Sequence, residues 1–157
     1  MKRNTNRDSV YRLLFVVYVL LMLWLLFDRP SGWDSSAGYR HLLRANFNFR
    51  PFYTIGNYLA TVLAGTNEEM VRHCFINLAG NVALFVPAGL LLPRVFPRLR
   101  NFFRFFALCT SAIFLVETAQ LFSLRGIFDI DDVILNLFGM CTGFLFFTVV
   151  HAVKSKQ

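Results

Sequence analysis

Four apolar segments alternate with more polar stretches along the chain. They cover residues 10–27, 70–92, 103–124 and 132–153. Each approaches the roughly 20 residues that an α-helix needs to cross the hydrocarbon core of a bilayer. The pattern therefore predicts an all-α membrane protein, built as a bundle of four transmembrane helices.

The connection between the first two apolar segments, residues 28–69, is predicted to be a long extracytoplasmic loop. Its second half is too hydrophobic for a solvated linker, and Pro51 interrupts any helix there. The stretch YTIGNYLATVLA that follows is predicted to form a short helix at the membrane interface. An irregular loop that covers the bundle is the alternative.

Composition agrees with a membrane location. Of the 157 residues, 56% are hydrophobic and only 16% are charged, whereas a soluble domain is about a quarter charged. The length allows one domain. The apolar run from Leu13 to Phe27 is longer than a signal-peptide core and has no small-residue cleavage site directly after it, so we expect a retained signal anchor.

The basic residues predict the orientation. Ten of the 16 Lys and Arg residues fall on one side of the predicted spans: Lys2, Arg3, Arg7, Arg12, Arg94, Arg98, Arg100, Arg104, Lys154 and Lys156. The positive-inside rule then places both termini, including residues 1–9, in the cytoplasm. Because these charges flank apolar segments and form no basic stripe, we expect no nucleic-acid partner despite the net charge of +7.

Polar residues recur inside three of the predicted spans. They form pairs that share a helix face: Asn77 with Asn81, Glu117 with Gln120, and Asp132 with Asn136. A helical rise of 1.5 Å per residue puts one member of each pair about 10–12 Å below the extracytoplasmic surface. Since lipid cannot satisfy such groups, we expect them to converge on a polar pocket that opens outward.

Charge adds a constraint on Glu117. An ionised carboxylate alone inside a membrane costs about 2.5–3.5 kcal/mol or more. We therefore expect Glu117 to be protonated, or paired with Arg125, Arg50 or Arg72.

The start of the fourth predicted helix is acidic and its middle is rich in glycine. Asp129, Asp131 and Asp132 crowd the first turn, where the helix dipole favours negative charge, and one of them is expected to be the N-cap. Gly139 and Gly143 would let a neighbouring helix approach closely. The sequence contains neither a G-x-S-x-G elbow nor an H-E-x-x-H motif, and we expect no metal or other cofactor.

Three stretches together resemble the VanZ-like family of membrane proteins. They are NFRPFYTI at 48–55, NLAGNVALFVPAGLLLP at 77–93 and ETAQLFSLRGIFDIDDVILNLFGMCTG at 117–143. With their connections, they cover most of residues 44–150. The resemblance implies a protein of the bacterial cell membrane, and the name-giving member of the family is associated with resistance to teicoplanin, a lipoglycopeptide antibiotic. It implies no particular reaction.

The leading functional hypothesis is a binding module. Its pocket would hold the head group of an envelope lipid, a lipid-linked cell-wall precursor or a lipoglycopeptide antibiotic. Arginine would pair with phosphate or carboxylate and the amides would donate hydrogen bonds. The predicted ligand-binding residues are Arg50, Asn77, Asn81, Gln120, Arg125 and Asn136.

Two alternatives stay open. One is a membrane-embedded enzyme acting on the same head group, with Glu117 as general acid or base and Asp129 or Asp132 as its partner. The other is a structural membrane subunit whose polar residues only hold the bundle together.

Overall fold

Helices account for nearly all of the fold. The computed structural model describes residues 5–28, 38–65 and 67–155. In chain order the elements are α1 (Thr5–Phe27), α2 (Tyr39–Ala45), β1 (Phe47–Asn48), α3 (Tyr53–Ala64), α4 (Glu68–Val95), a 3₁₀ turn (Pro97–Arg100), α5 (Phe102–Phe122), β2 (Phe128–Asp129) and α6 (Ile130–Ser155).

Four helices in the described ranges are long and apolar enough to cross a membrane. These spans are Asp8–Phe27, Glu68–Val95, Phe102–Phe122 and Ile130–Val153. They confirm the predicted all-α membrane bundle, and their ends differ from the predicted ones by a few residues. Two of the ends have a clear local cause, because the side chains of Asn67 and Asn101 cap α4 and α5 by accepting backbone N–H bonds at 3.1 Å.

The closest helix contact joins α4 to α6. A methyl group added at Gly139 would overlap the carbonyl oxygen of Val82, and one added at Gly143 would overlap that of Val86. The expectation that these glycines admit a neighbouring helix is therefore confirmed. From the first contact to the second, the residue number rises by four on α6 and also by four on α4. The two helices therefore run in the same direction. Gly89 of α4 meets the backbone of α6 in the same way.

Helix α6 also packs against α5, and α1 packs mainly on α4. Aromatic rings fill the contact between α5 and α6, where the Phe105 and Phe144 ring centroids lie 4.6 Å apart. We call the end of the bundle where α1 ends and α4 and α6 begin the acidic end, because it carries Asp129, Asp131 and Asp132. The opposite end, with Arg94, is the basic end.

The long connection between α1 and α4 is folded. The predicted short helix is confirmed as α3, which covers the same twelve residues. The structure adds α2 and a parallel pairing of β1 with β2, in which Phe47 is opposite Phe128 and Asn48 is opposite Asp129. Three of the ten basic residues that predict the orientation, Lys2, Arg3 and Lys156, lie outside the described residues.

Candidate functional site

Two buried carboxylates organise the acidic end. Asp131 is completely buried, and its carboxylate accepts backbone N–H bonds from Phe52 at 2.5 Å and from Ile55 at 3.0 Å. Because these N–H groups lie at the start of α3, Asp131 caps a helix that begins 78 residues earlier in the chain. Phe52 itself has a φ of +63°, a left-handed conformation that is uncommon outside glycine.

Asp129, two residues before Asp131, completes this network. Its Oδ1 accepts from the backbone N–H of Asp131 at 2.9 Å, which makes Asp129 the N-cap of α6 and confirms that one of the three aspartates has this role. Its Oδ2 accepts from Thr54 at 2.6 Å and from Asn48 at 3.2 Å. The predicted catalytic partner Asp129 is thus 8% exposed and engaged on both oxygens.

An open groove of about 490 Å³ runs along the half of α4 that lies at the acidic end, and the residues that line it all belong to α4. Asn77 and Asn81 lie in its wall, and Asn81 Nδ2 donates to Asp132 Oδ1 across to α6 at 2.6 Å. Arg72 and His73 line the same groove. The structure therefore brings together Asn77, Asn81 and Asp132, and it adds Arg72 and His73.

Helix α3 contacts the groove residue His73 through one aromatic ring. The ring of Tyr58 meets the His73 ring edge-on, with the centroids 6.2 Å apart. Burial raises the pKa of the Tyr58 hydroxyl, with smaller contributions from Cys74, Asp132 and Asp129. Tyr58 is therefore a neutral hydrogen-bonding group next to the groove.

The polar residues at the end of α5 reach a different partner, the end of α1. Gln120 Nε2 donates to the Leu26 carbonyl at 2.9 Å, and Arg125 donates to the Phe27 carbonyl. The last carbonyls of a helix lack partners within the helix, so both side chains cap α1. Glu117 lies one turn from Gln120, and it is 4% exposed.

The two remaining predicted residues lie apart from these groups. Asn136 is 3% exposed, and its Oδ1 has no hydrogen-bond partner among the described residues. It lies on the face of α6 that carries Gly139 and turns toward α4. Arg50 is exposed next to the start of α3, with its guanidinium carbon 6.0 Å from the centre of the Tyr53 ring.

Sequence reasoning missed the groove roles of Arg72 and His73, and the structural role of Asp131. A signal for His73 was present, because it lies four residues before Asn77 on the same helix face. Asp131 gave no such signal, since its partners are backbone groups of a distant segment. The described residues contain no group of three His, Cys, Asp or Glu side chains that could hold a metal ion.

Comparison with known proteins gives one match. No curated protein and no solved structure shows significant similarity to the chain. The model of one family, described as VanZ/LLP1, matches residues 15–151. This is most of the 157 residues, and it confirms the resemblance seen in the sequence. The chain therefore belongs to the VanZ/LLP1 family of membrane proteins.

Proposed function

We propose that the protein is a binding module of the bacterial cell membrane. It holds the head group of an envelope lipid, a lipid-linked cell-wall precursor or a lipoglycopeptide antibiotic. These ligands share a head group rich in hydrogen-bonding groups, attached to an apolar chain. In this proposal both termini are cytoplasmic, so that the groove along α4 faces the cell exterior.

The groove is the observation that carries the proposal. Its volume of about 490 Å³ lies within the usual range of small-molecule sites, about 300–1,000 Å³. Asn77 and Asn81 place amide groups in the groove wall within an apolar span, where polar groups usually mark a functional pathway. Arg72, nearer the start of α4, has the geometry to bind a phosphate or a carboxylate with two parallel hydrogen bonds.

Arg50 extends this site at its rim in our proposal, because it is exposed at the same end of the bundle. Gln120 and Arg125 contribute indirectly by fixing α1, through their bonds to Leu26 and Phe27. The Oδ1 of Asn136 has no hydrogen-bond partner among the described residues and is buried beside the contact between α4 and α6, so in our proposal Asn136 lies outside the groove.

Native mass spectrometry of the protein, extracted gently from its own membrane, tests the proposal. We expect wild-type protein to carry an amphiphile whose occupancy falls at least tenfold in Asn77→Leu and in Arg72→Ala. A bond to a charged group contributes about 1.5–3 kcal/mol, which corresponds to about 10- to 100-fold in affinity. Arg44→Ala is the control, because Arg44 is an exposed arginine of α2 outside the groove wall.

Unchanged occupancy in Asn77→Leu, in protein that unfolds at the wild-type temperature, would refute the groove as the site. If the occupancy of the amphiphile also fell in the Arg44→Ala control, net charge and not the groove would retain the ligand.

An enzyme acting on the same head group is the second candidate. The observation that favours it is the burial of Glu117 within α5, since ionisable groups inside a span usually have a function. Its test is a turnover of the co-purifying amphiphile that disappears in Glu117→Gln while binding persists. Binding without turnover in wild-type protein would rule out the enzyme and favour the binding module.

A further inference from the structure

An apolar crevice of about 280 Å³ separates α1 from the middle of α5. All four spans contribute to its walls. The residues that define it are Phe15, Met22, Leu26, Leu92, Ala112 and Met140. Its exposed wall atoms, within the described part of the chain, are all apolar.

The crevice exists because α1 is attached to the bundle at separate points. Near the basic end Arg94 donates to the Tyr11 hydroxyl at 2.8 Å, and midway Tyr18 donates to the Leu84 carbonyl at 2.8 Å. At the acidic end Gln120 reaches the Leu26 carbonyl. The first two bonds join α1 to α4 and only the last joins it to α5, so the gap opens on the α5 side.

The dimensions of the crevice identify what fills it. Phe15 and Leu26 are eleven residues apart, which is about 16 Å along a helix, and half of a bilayer core measures about 15 Å. A volume of about 280 Å³ over that length leaves a mean cross-section of about 18 Å². A helix with side chains is about 10 Å wide and cannot enter. The crevice therefore has the length of one lipid tail, and it is too narrow for another helix.

A charged group lies at the mouth. Arg125 is exposed and donates to the carbonyl of Phe27, next to the crevice residue Leu26. A guanidinium has five N–H donors, so this bond leaves others for a phosphate. We propose that the crevice binds one acyl chain of an anionic membrane phospholipid, with its phosphate at Arg125. This lipid site is separate from the groove along α4 and goes beyond the proposed function.

Photo-labelling tests the acyl-chain site. The full-length protein is placed in nanodiscs containing phosphatidylglycerol that carries a diazirine in its acyl chain, and the adducts are mapped by mass spectrometry. We expect labelling of Met22 and Ala112 well above that of Leu145, which is 64% exposed on α6 and reports bulk lipid. Ala112→Trp and Val19→Phe, which fill the crevice from opposite walls, should each reduce crevice labelling at least tenfold.

Leu115→Trp is the matched control, because Leu115 is 71% exposed on α5 and lies outside the crevice wall. Crevice labelling no stronger than that of Leu145, or labelling that persists in both filled variants, would overturn the proposal. The groove variant Asn77→Leu should leave crevice labelling unchanged, so this site and the proposed function can fail separately.

Competition tests the phosphate contact. Unlabelled phosphatidylglycerol should displace the probe at least fivefold more effectively than diacylglycerol, which lacks the phosphate. This advantage should disappear in Arg125→Gln. Equal competition by the two lipids in wild-type protein would overturn the assignment of the phosphate to Arg125.

Discussion

Replacement of Asp131 by alanine should free the first turn of α3. The carboxylate accepts the N–H groups of Phe52 and Ile55, and Asp131 itself is completely buried. A hydrogen bond to a charged group contributes about 1.5–3 kcal/mol, so the two bonds contribute about 3–6 kcal/mol. Because the bond from the Phe52 N–H is only partly buried, water can replace part of it, and we take the lower value of about 3 kcal/mol.

Hydrogen exchange measures this release directly. A loss of about 3 kcal/mol corresponds to about a hundredfold increase in the opening of the first turn of α3. We therefore expect the amides of residues 52–58 to exchange about a hundredfold faster in Asp131→Ala. Asp131→Asn keeps an acceptor oxygen without the charge, so it should show a smaller acceleration.

Glu68→Ala provides the control, since Glu68 is an exposed carboxylate in the first turn of α4. Its loss should cost about 0.3–1 kcal/mol through the helix dipole, without affecting α3. An acceleration of less than threefold at residues 52–58 in Asp131→Ala would show that this carboxylate does not hold α3.

Two further predictions concern the contact between α4 and α6. Gly89→Ala should lower the thermal unfolding temperature in detergent, because a methyl group there meets the backbone of Met140 and overpacking costs about 1–3 kcal/mol. Gly80→Ala in the same helix has no atom within 4 Å of the added methyl group and should be neutral or stabilising; equal losses would contradict the close packing. A double-mutant cycle between Asn81→Leu and Asp132→Ala should give a coupling of about 0.6–1.7 kcal/mol, whereas strict additivity would mean that their bond contributes nothing.

The sequence predicted the spans because each depends on local composition. A run of about 20 apolar residues has to form a helix in a membrane, where every backbone polar group needs an internal partner. The same local reasoning identified α3 after Pro51, the N-cap at the start of α6, and the glycines that approach α4. Local patterns also gave the face that Asn77 shares with Asn81.

What the sequence could not decide is which polar residues meet. Depth along a helix is a local property, but the partner of a side chain depends on how helices are placed around the bundle. Nothing in the sequence therefore indicated that the side chains of Gln120 and Arg125 donate hydrogen bonds to the end of α1. The pairing of β1 with β2 joins residues 81 positions apart over two residues each, which leaves no periodic signal.

The sequence by itself thus determined the class of protein, the four spans and the family, since hydropathy and motif residues need no knowledge of neighbours. Only the tertiary structure divided the polar residues between holding the fold and lining the groove. The physical reason is that a buried carboxylate or amide is satisfied by whichever donor lies within about 3 Å, and packing alone brings the donor there. Asp131 shows this most clearly, because its partners belong to a helix that begins 78 residues earlier.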